Sequence, residues 1–118
     1  MAESLAPRER IRKRKDFLVL YRKGYRYKSR YFTLIGLSNA LTHSRVGVVA
    51  SRKVGNAVHR NRAKRRMREL FRRNKELFSS PVDLLLVASA AIREAAWAEL
   101  EESYIQAVGK ISEKKRTR

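Results

Sequence analysis

RVGVVASRKVGNAVHRNRAKRRMRELFRR, residues 45–73, joins a strand-like run to a helix crowded with arginine. Residues 45–51 alternate, with Val46, Val48 and Ala50 on one face and Gly47, Val49 and Ser51 on the other, which predicts a strand. Gly55-Asn56 breaks that pattern, and Asn56 is a suitable cap for a helix expected over 57–78. Ala63, Met67, Leu70 and Phe71 form one apolar stripe along it, so the helix can pack on a sheet along one side only. Asn61, Arg65, Arg68 and Arg72 run nearly opposite that stripe, with Arg62, Arg66 and Arg73 beside them. From Arg45 to Lys75 the only acidic residue is Glu69. So many like charges repel one another unless an anion neutralises them, and RNA or DNA is the partner that fits.

Outward from this stretch the chain reads as one small α+β domain over 1–118. Asp16 is a suitable N-cap and Gly24 a suitable stop for a short helix over 16–23, with Phe17 and Tyr21 on one face. Residues 25–37 are rich in aromatic and β-branched types and predict a strand. A polar turn, 38–44, would let it pair antiparallel with 45–51. After Pro81, VDLLLVA (82–88) reads as a buried strand, and 92–111 as a last helix with Trp97, Leu100, Tyr104, Val108 and Ile111 inward. Residues 1–10 and 112–118 are expected to be mobile tails. The order helix, strand, strand, helix, strand, helix makes a two-layer sandwich, a small sheet with helices on it.

The 118 residues carry a net charge of +18 and a pI near 11.2, the electrostatic footprint of a nucleic-acid binder. Residues 1–80 hold 23 of the 29 Lys and Arg, whereas Glu94, Glu99, Glu101 and Glu102 cluster later, so one side is expected to bind and another to be ordinary solvated surface. There is no cysteine, which excludes disulfides, thiolate metal sites and thiol nucleophiles. No apolar run reaches the length of a membrane span, and no apolar segment follows the basic start as in a secretory signal. A cytoplasmic location is expected.

Catalytic chemistry finds little support. His43 falls in a turn and His59 at the start of the arginine helix, where it reads as a partly exposed helix-start residue in preference to one that meets phosphates. The acidic group at 94–102 reads as a solvated helix face, because Trp97 and Leu100 claim the inner side. No nucleophile, general base or protein-borne metal cage is expected. Binding chemistry is stronger. Arginine forks onto phosphate through two hydrogen bonds. Ser51, Arg52 and Lys53 leave the strand where Gly55 allows a tight turn and Asn56 opens a helix whose first N–H groups can meet an anion. Phe17, Tyr21, Tyr31 and Phe32 all suit a core. Phe17, flanked by cations, is the best of them for stacking on an unpaired base.

Two segments resemble the protein subunit of bacterial ribonuclease P. One is RKRKDFLVLYRKG, residues 12–24. The other is the long signature that begins RVGVVASRKVGNAV and ends HRNRAKRRMRE, residues 45–69. The resemblance spans roughly 8–110. It implies an α/β sandwich with a left-handed βαβ crossover made by 45–51, 57–78 and 82–88, a hand that is rare in general. It also implies a role beside a large catalytic RNA that removes the 5′ leader of precursor tRNA, with Mg²⁺ bound chiefly by the RNA and substrate. By its motif, Arg60, Asn61, Arg62, Lys64, Arg65 and Arg68 would face the RNA subunit, and Arg72 extends that set. Ser51, Arg52, Lys53 and Asn56 would line or approach the leader path, and Phe17 and Tyr21 would wall the leader cleft. The chain departs from the pattern after the third strand, where Ser89 and Ala90 stand in place of basic residues common in relatives, so that contacts at that edge are expected either to be absent or to be taken over by Arg93.

Other readings share parts of this pattern. A ribosomal or other structural RNA-binding protein shares the basicity without needing the long signature. A DNA-reading helix mixes more Asn, Gln, Ser and Thr among its cations. A protein-only nuclease needs a carboxylate or histidine cluster near the basic face.

Overall fold

A computed structural model describes residues 5–116. The order is α1 (Arg14–Lys23), β1 (Tyr25–Lys28), β2 (Phe32–Ser38), β3 (Arg45–Val49), α2 (Ala57–Arg73), β4 (Val82–Ala88) and α3 (Trp97–Arg116). The four strands form one mixed sheet in the order β1-β2-β4-β3. The chain is an α+β fold of three helices on this sheet, with a radius of gyration of 13.4 Å.

The expected strand 25–37 is two strands. Ser29 breaks it: its hydroxyl donates to the Phe32 carbonyl at 2.9 Å and accepts from the Tyr31 and Phe32 amides at 3.3 Å, which closes a tight hairpin turn. The pairing expected between 25–37 and 45–51 is also corrected. β2 pairs antiparallel with β4, and β3 pairs parallel with β4. β4 takes the middle because VDLLLVA is apolar on both faces, and only a central strand has both faces covered. Val82, Leu84, Leu86 and Ala88 face α2 and α3, whereas Leu85 and Val87 face the α1 side.

The larger core lies between the sheet and the α2/α3 layer. The α2 stripe is as expected: Ala63 is 3% exposed, and Met67, Leu70 and Phe71 are fully buried. Burial of Met67, Leu70 and Phe71 stabilises the fold by roughly 1.5–3 kcal/mol each. Leu100, Tyr104, Val108 and Ile111 are buried on α3, as is Ala107, which the spacing did not single out. On the other sheet face, α1 covers a smaller cluster, Ile11, Leu20, Ile35 and Leu85, with Phe17 and Val49 packed at its margin.

Element ends differ from the sequence reading for local reasons. α1 begins two residues early and Asp16 is not its cap; its carboxylate sits 3.6 Å from Arg45 instead. α2 stops at Arg73 rather than 78, because buried Asn74 turns its amide back to the Leu70 carbonyl at 2.9 Å and to Glu101 at 3.2 Å. α3 starts at Trp97 rather than 92. Residues 90–94 form a separate short turn, and the Glu99 carboxylate caps the helix start by accepting from the Ala96 amide. Of the tails expected to be mobile, 1–4 and 117–118 lie outside the described residues. The rest is structured. Leu5 is buried, the Ile11 amide donates to the Val46 carbonyl at 2.9 Å along the outer edge of β3, and helix continues to Arg116. An apolar residue at position 5 and an open strand edge are reason enough to hold this segment down.

Candidate nucleic-acid interface

The strand-to-helix junction is built as a tight corner. After β3, residues 52–54 make a single turn in which the Ser51 hydroxyl accepts from the Lys53 amide at 3.3 Å. Gly55 follows at φ 137°, ψ −157°, a conformation that side-chain-bearing residues rarely adopt. Asn56 caps α2 as expected, its side-chain oxygen accepting from the His59 amide at 3.2 Å. Ser51, Arg52, Lys53 and Asn56 are all exposed around this corner. Arg93 arrives from the turn after β4, its guanidinium 3.0 Å from the His59 ring. Sequence order separates those two residues by more than thirty positions, so this extra cation at the helix start was legible only as a candidate replacement.

The basic residues of α2 divide into two groups. Arg66 is turned inward, donating to the Ile92 carbonyl at 3.1 Å and the Ala95 carbonyl at 2.6 Å, and burial pushes its pKa down. Arg72 and Arg73 both bond to Glu69, at 2.5–2.9 Å, and Arg73 also lies over the Trp97 ring at 5.1 Å. The Arg72 hydrogen bonds are the first cause holding the Glu69 carboxylate down at about 2. Arg72, included by spacing among the nucleic-acid contacts, is thus engaged within α2. Asn61, Arg62 and Arg65 stand exposed on the outer face. Arg60, Lys64 and Arg68 are half-buried in the row beside them. Arg68 has its pKa lowered by burial and then by Arg10 and Arg12, which places that row beside the N-terminal segment.

On the opposite sheet face, α1 packs across the sheet. Phe17 is half-buried over β3, and a β-carbon at Gly47 would stand 2.8 Å from its ring. Glycine there lets the ring approach the strand backbone closely. Tyr21, one turn on, is 40% exposed. Leu18 and Val19 are exposed as well, at 43% and 42%, an unusual amount of apolar surface for so short a helix. Tyr31 and Phe32, the other aromatic candidates, belong to the core at 7% and 0% exposure. His43 bonds the Arg8 carbonyl at 3.0 Å, away from the corner.

Among the described residues no three His, Asp or Glu side chains gather as metal ligands, and the basic face does not fit Mg²⁺. Nor is any described helix long and apolar enough to cross a membrane.

Comparison with known proteins matches this geometry. The ribonuclease P family model covers residues 5–112. The chain is 39% identical over 94 residues to the ribonuclease P protein component of Thermotoga maritima, spanning 80% of each chain. It is 33% identical over 96 residues to that of Streptococcus pneumoniae, covering 81% of this chain and 78% of the relative. The solved Staphylococcus aureus RNase P protein superposes with a TM-score of 0.77 at 30% identity, covering 87% of this chain and 96% of that one. The Thermotoga maritima protein superposes with a TM-score of 0.73 at 32% identity, covering 83% and 93%. The chain belongs to the ribonuclease P protein component family.

Proposed function

We propose that this chain is the protein subunit of a ribonuclease P ribonucleoprotein and assists removal of the 5′ leader from precursor tRNA. The observation that carries this reading is the pairing of two surfaces on one small scaffold. One is the exposed cation row of α2 with the corner at Ser51–Asn56. The other is the α1 side of the sheet, where Phe17 packs against Gly47 and Tyr21 is exposed. The first suits the backbone of a folded RNA, since Arg62 and Arg65 present forked donors without partners that read bases. The second suits an extended single strand, with Phe17 and Tyr21 as stacking walls and Lys53 and Ser51 at its end.

Arg60, Asn61, Arg62, Lys64, Arg65 and Arg68 hold the RNA subunit in this reading, and their charge lowers the repulsion between two polyanions. The α1 side holds the leader extended, so that the scissile bond is positioned before chemistry begins. The chain supplies no general base or metal ligand to the reaction. Mg²⁺ belongs to the RNA and substrate, and cytoplasm is the compartment where these partners meet.

The test is precursor-tRNA cleavage by a bacterial ribonuclease P RNA at low Mg²⁺, with and without this chain. Strong cleavage with both and none by the chain alone is the expected result. Tight RNA binding without rescue of cleavage would instead favour a general structural RNA-binding role.

A further inference from the structure

Beside the N-terminal end of β3, away from the Ser51–Asn56 corner, lies a cavity of about 380 Å³ lined by Arg10, Arg12, Lys13, Lys15, Asp16 and Arg45. Its cations are not balanced by its carboxylates. Arg45 is held by Asp83 through two hydrogen bonds, at 2.9 and 2.6 Å, and by Asp16 at 3.6 Å. That pairing consumes the one acidic group in the wall and leaves the remaining four cations without a carboxylate in the cavity. Arg68 adds to the excess, since it lies close enough for Arg10 and Arg12 to lower its pKa. Arg10 is itself pinned by its backbone, which bridges to Val46. A cavity of excess positive charge, walled by arginine and lysine donors, is a seat for a phosphate.

We infer that this cavity binds a phosphate of the precursor leader, upstream of the part that lies against Phe17. This rests on the proposed function and extends it. The wall of the cavity is the first turn of α1, and Phe17 follows Asp16 directly. Arg45 precedes by two residues the Gly47 on which Phe17 lies. The cavity therefore lies next to Phe17, at the end of β3 opposite Ser51 and Lys53. From Ser51 to Arg45 the strand direction covers about 20 Å at roughly 3.3 Å per residue. A strand of RNA entering at the corner must be several nucleotides long to reach Arg45, so the contact is reserved for longer leaders.

The experiment uses the reconstituted holoenzyme and precursor tRNAs whose leaders are extended one nucleotide at a time. Wild type is compared with the Arg12→Ala/Lys15→Ala double variant, both positions being exposed. Lys110→Ala, exposed on α3, controls for loss of charge alone. Wild type should gain affinity at one leader length, and the double variant should lose that gain, roughly tenfold, while binding the shortest leader normally. Its salt dependence on the long leader should flatten by about 0.7 in log–log slope per lost phosphate contact. An equal loss for all leaders, traced to weaker assembly with the RNA subunit, overturns the leader assignment. So does a double variant indistinguishable from wild type on every leader. Failure of the wild-type holoenzyme to cleave even the shortest precursor would refute the proposed function itself.

Discussion

A β-carbon at position 47 would stand 2.8 Å from the Phe17 ring, and one at position 55 would require a backbone conformation of φ 137°. Both glycines are therefore read by what surrounds them. At Gly55 the cost of any side chain is conformational, so Gly55→Ala should destabilise by about 1–3 kcal/mol in chemical denaturation. An unchanged midpoint would show that the corner relaxes. Tyr104 presents the reverse case. Its ring is fully buried against Phe32, centroids 6.5 Å apart, and its hydroxyl finds no partner among the described residues. Burial without a partner drives its pKa upward. A buried hydroxyl with no hydrogen bond costs about 1–3 kcal/mol, so Tyr104→Phe should leave stability unchanged or raise it by up to about 1 kcal/mol. A loss of more than that would mean the hydroxyl has a partner in solution.

Within α2, arginines of the same sequence run do different work. Arg66→Ala removes the donors to the Ile92 and Ala95 carbonyls and should destabilise by roughly 1–3 kcal/mol. Arg62→Ala, on the exposed face, should leave the melting temperature unchanged and weaken RNA binding. Equal stability losses in the two variants would erase the distinction. Toward the C-terminal end of the helix, Glu69 is held at about 2 against its ordinary 4.5, chiefly by hydrogen bonding to Arg72. Its folded pKa is depressed, so the stability it contributes is present above pH 4.5 and lost as pH falls toward 2. Wild type should exceed Glu69→Gln in stability at pH 6 and converge with it near pH 2. A gap independent of pH would assign the effect to packing. Spacing alone could not sort Arg66 from Arg62, because both lie off the apolar stripe; which one meets a carbonyl depends on where residues 92 and 95 are brought by the fold.

Across the whole molecule, positive charge is gathered on α2, the corner and the N-terminal segment, whereas Glu94, Glu99 and Glu102 lie exposed around α3. Binding to a large RNA should therefore fall steeply with salt. Arg65→Ala should weaken assembly with the RNA subunit and reduce the log–log salt slope by roughly 0.7–0.9, measured by titration at several ionic strengths. A slope identical to wild type would remove Arg65 from the phosphate contacts. What the amino-acid sequence determined by itself was local or periodic. The α2 stripe, the Asn56 cap, the apolar run of β4, the excess of charge and the family signature each depend on neighbours a few positions apart or on residue type alone. The split of 25–37, the central place of β4, the Arg66 clamp, the Arg93–His59 contact and the Arg10–Arg45 cavity came only with tertiary structure. Each depends on residues far apart in the chain meeting across a sheet edge or a helix face, or on a turn hydrogen bond that competes with the strand pattern. Burial of apolar surface on both faces of β4 decides between such arrangements, and that quantity exists only once the chain is folded.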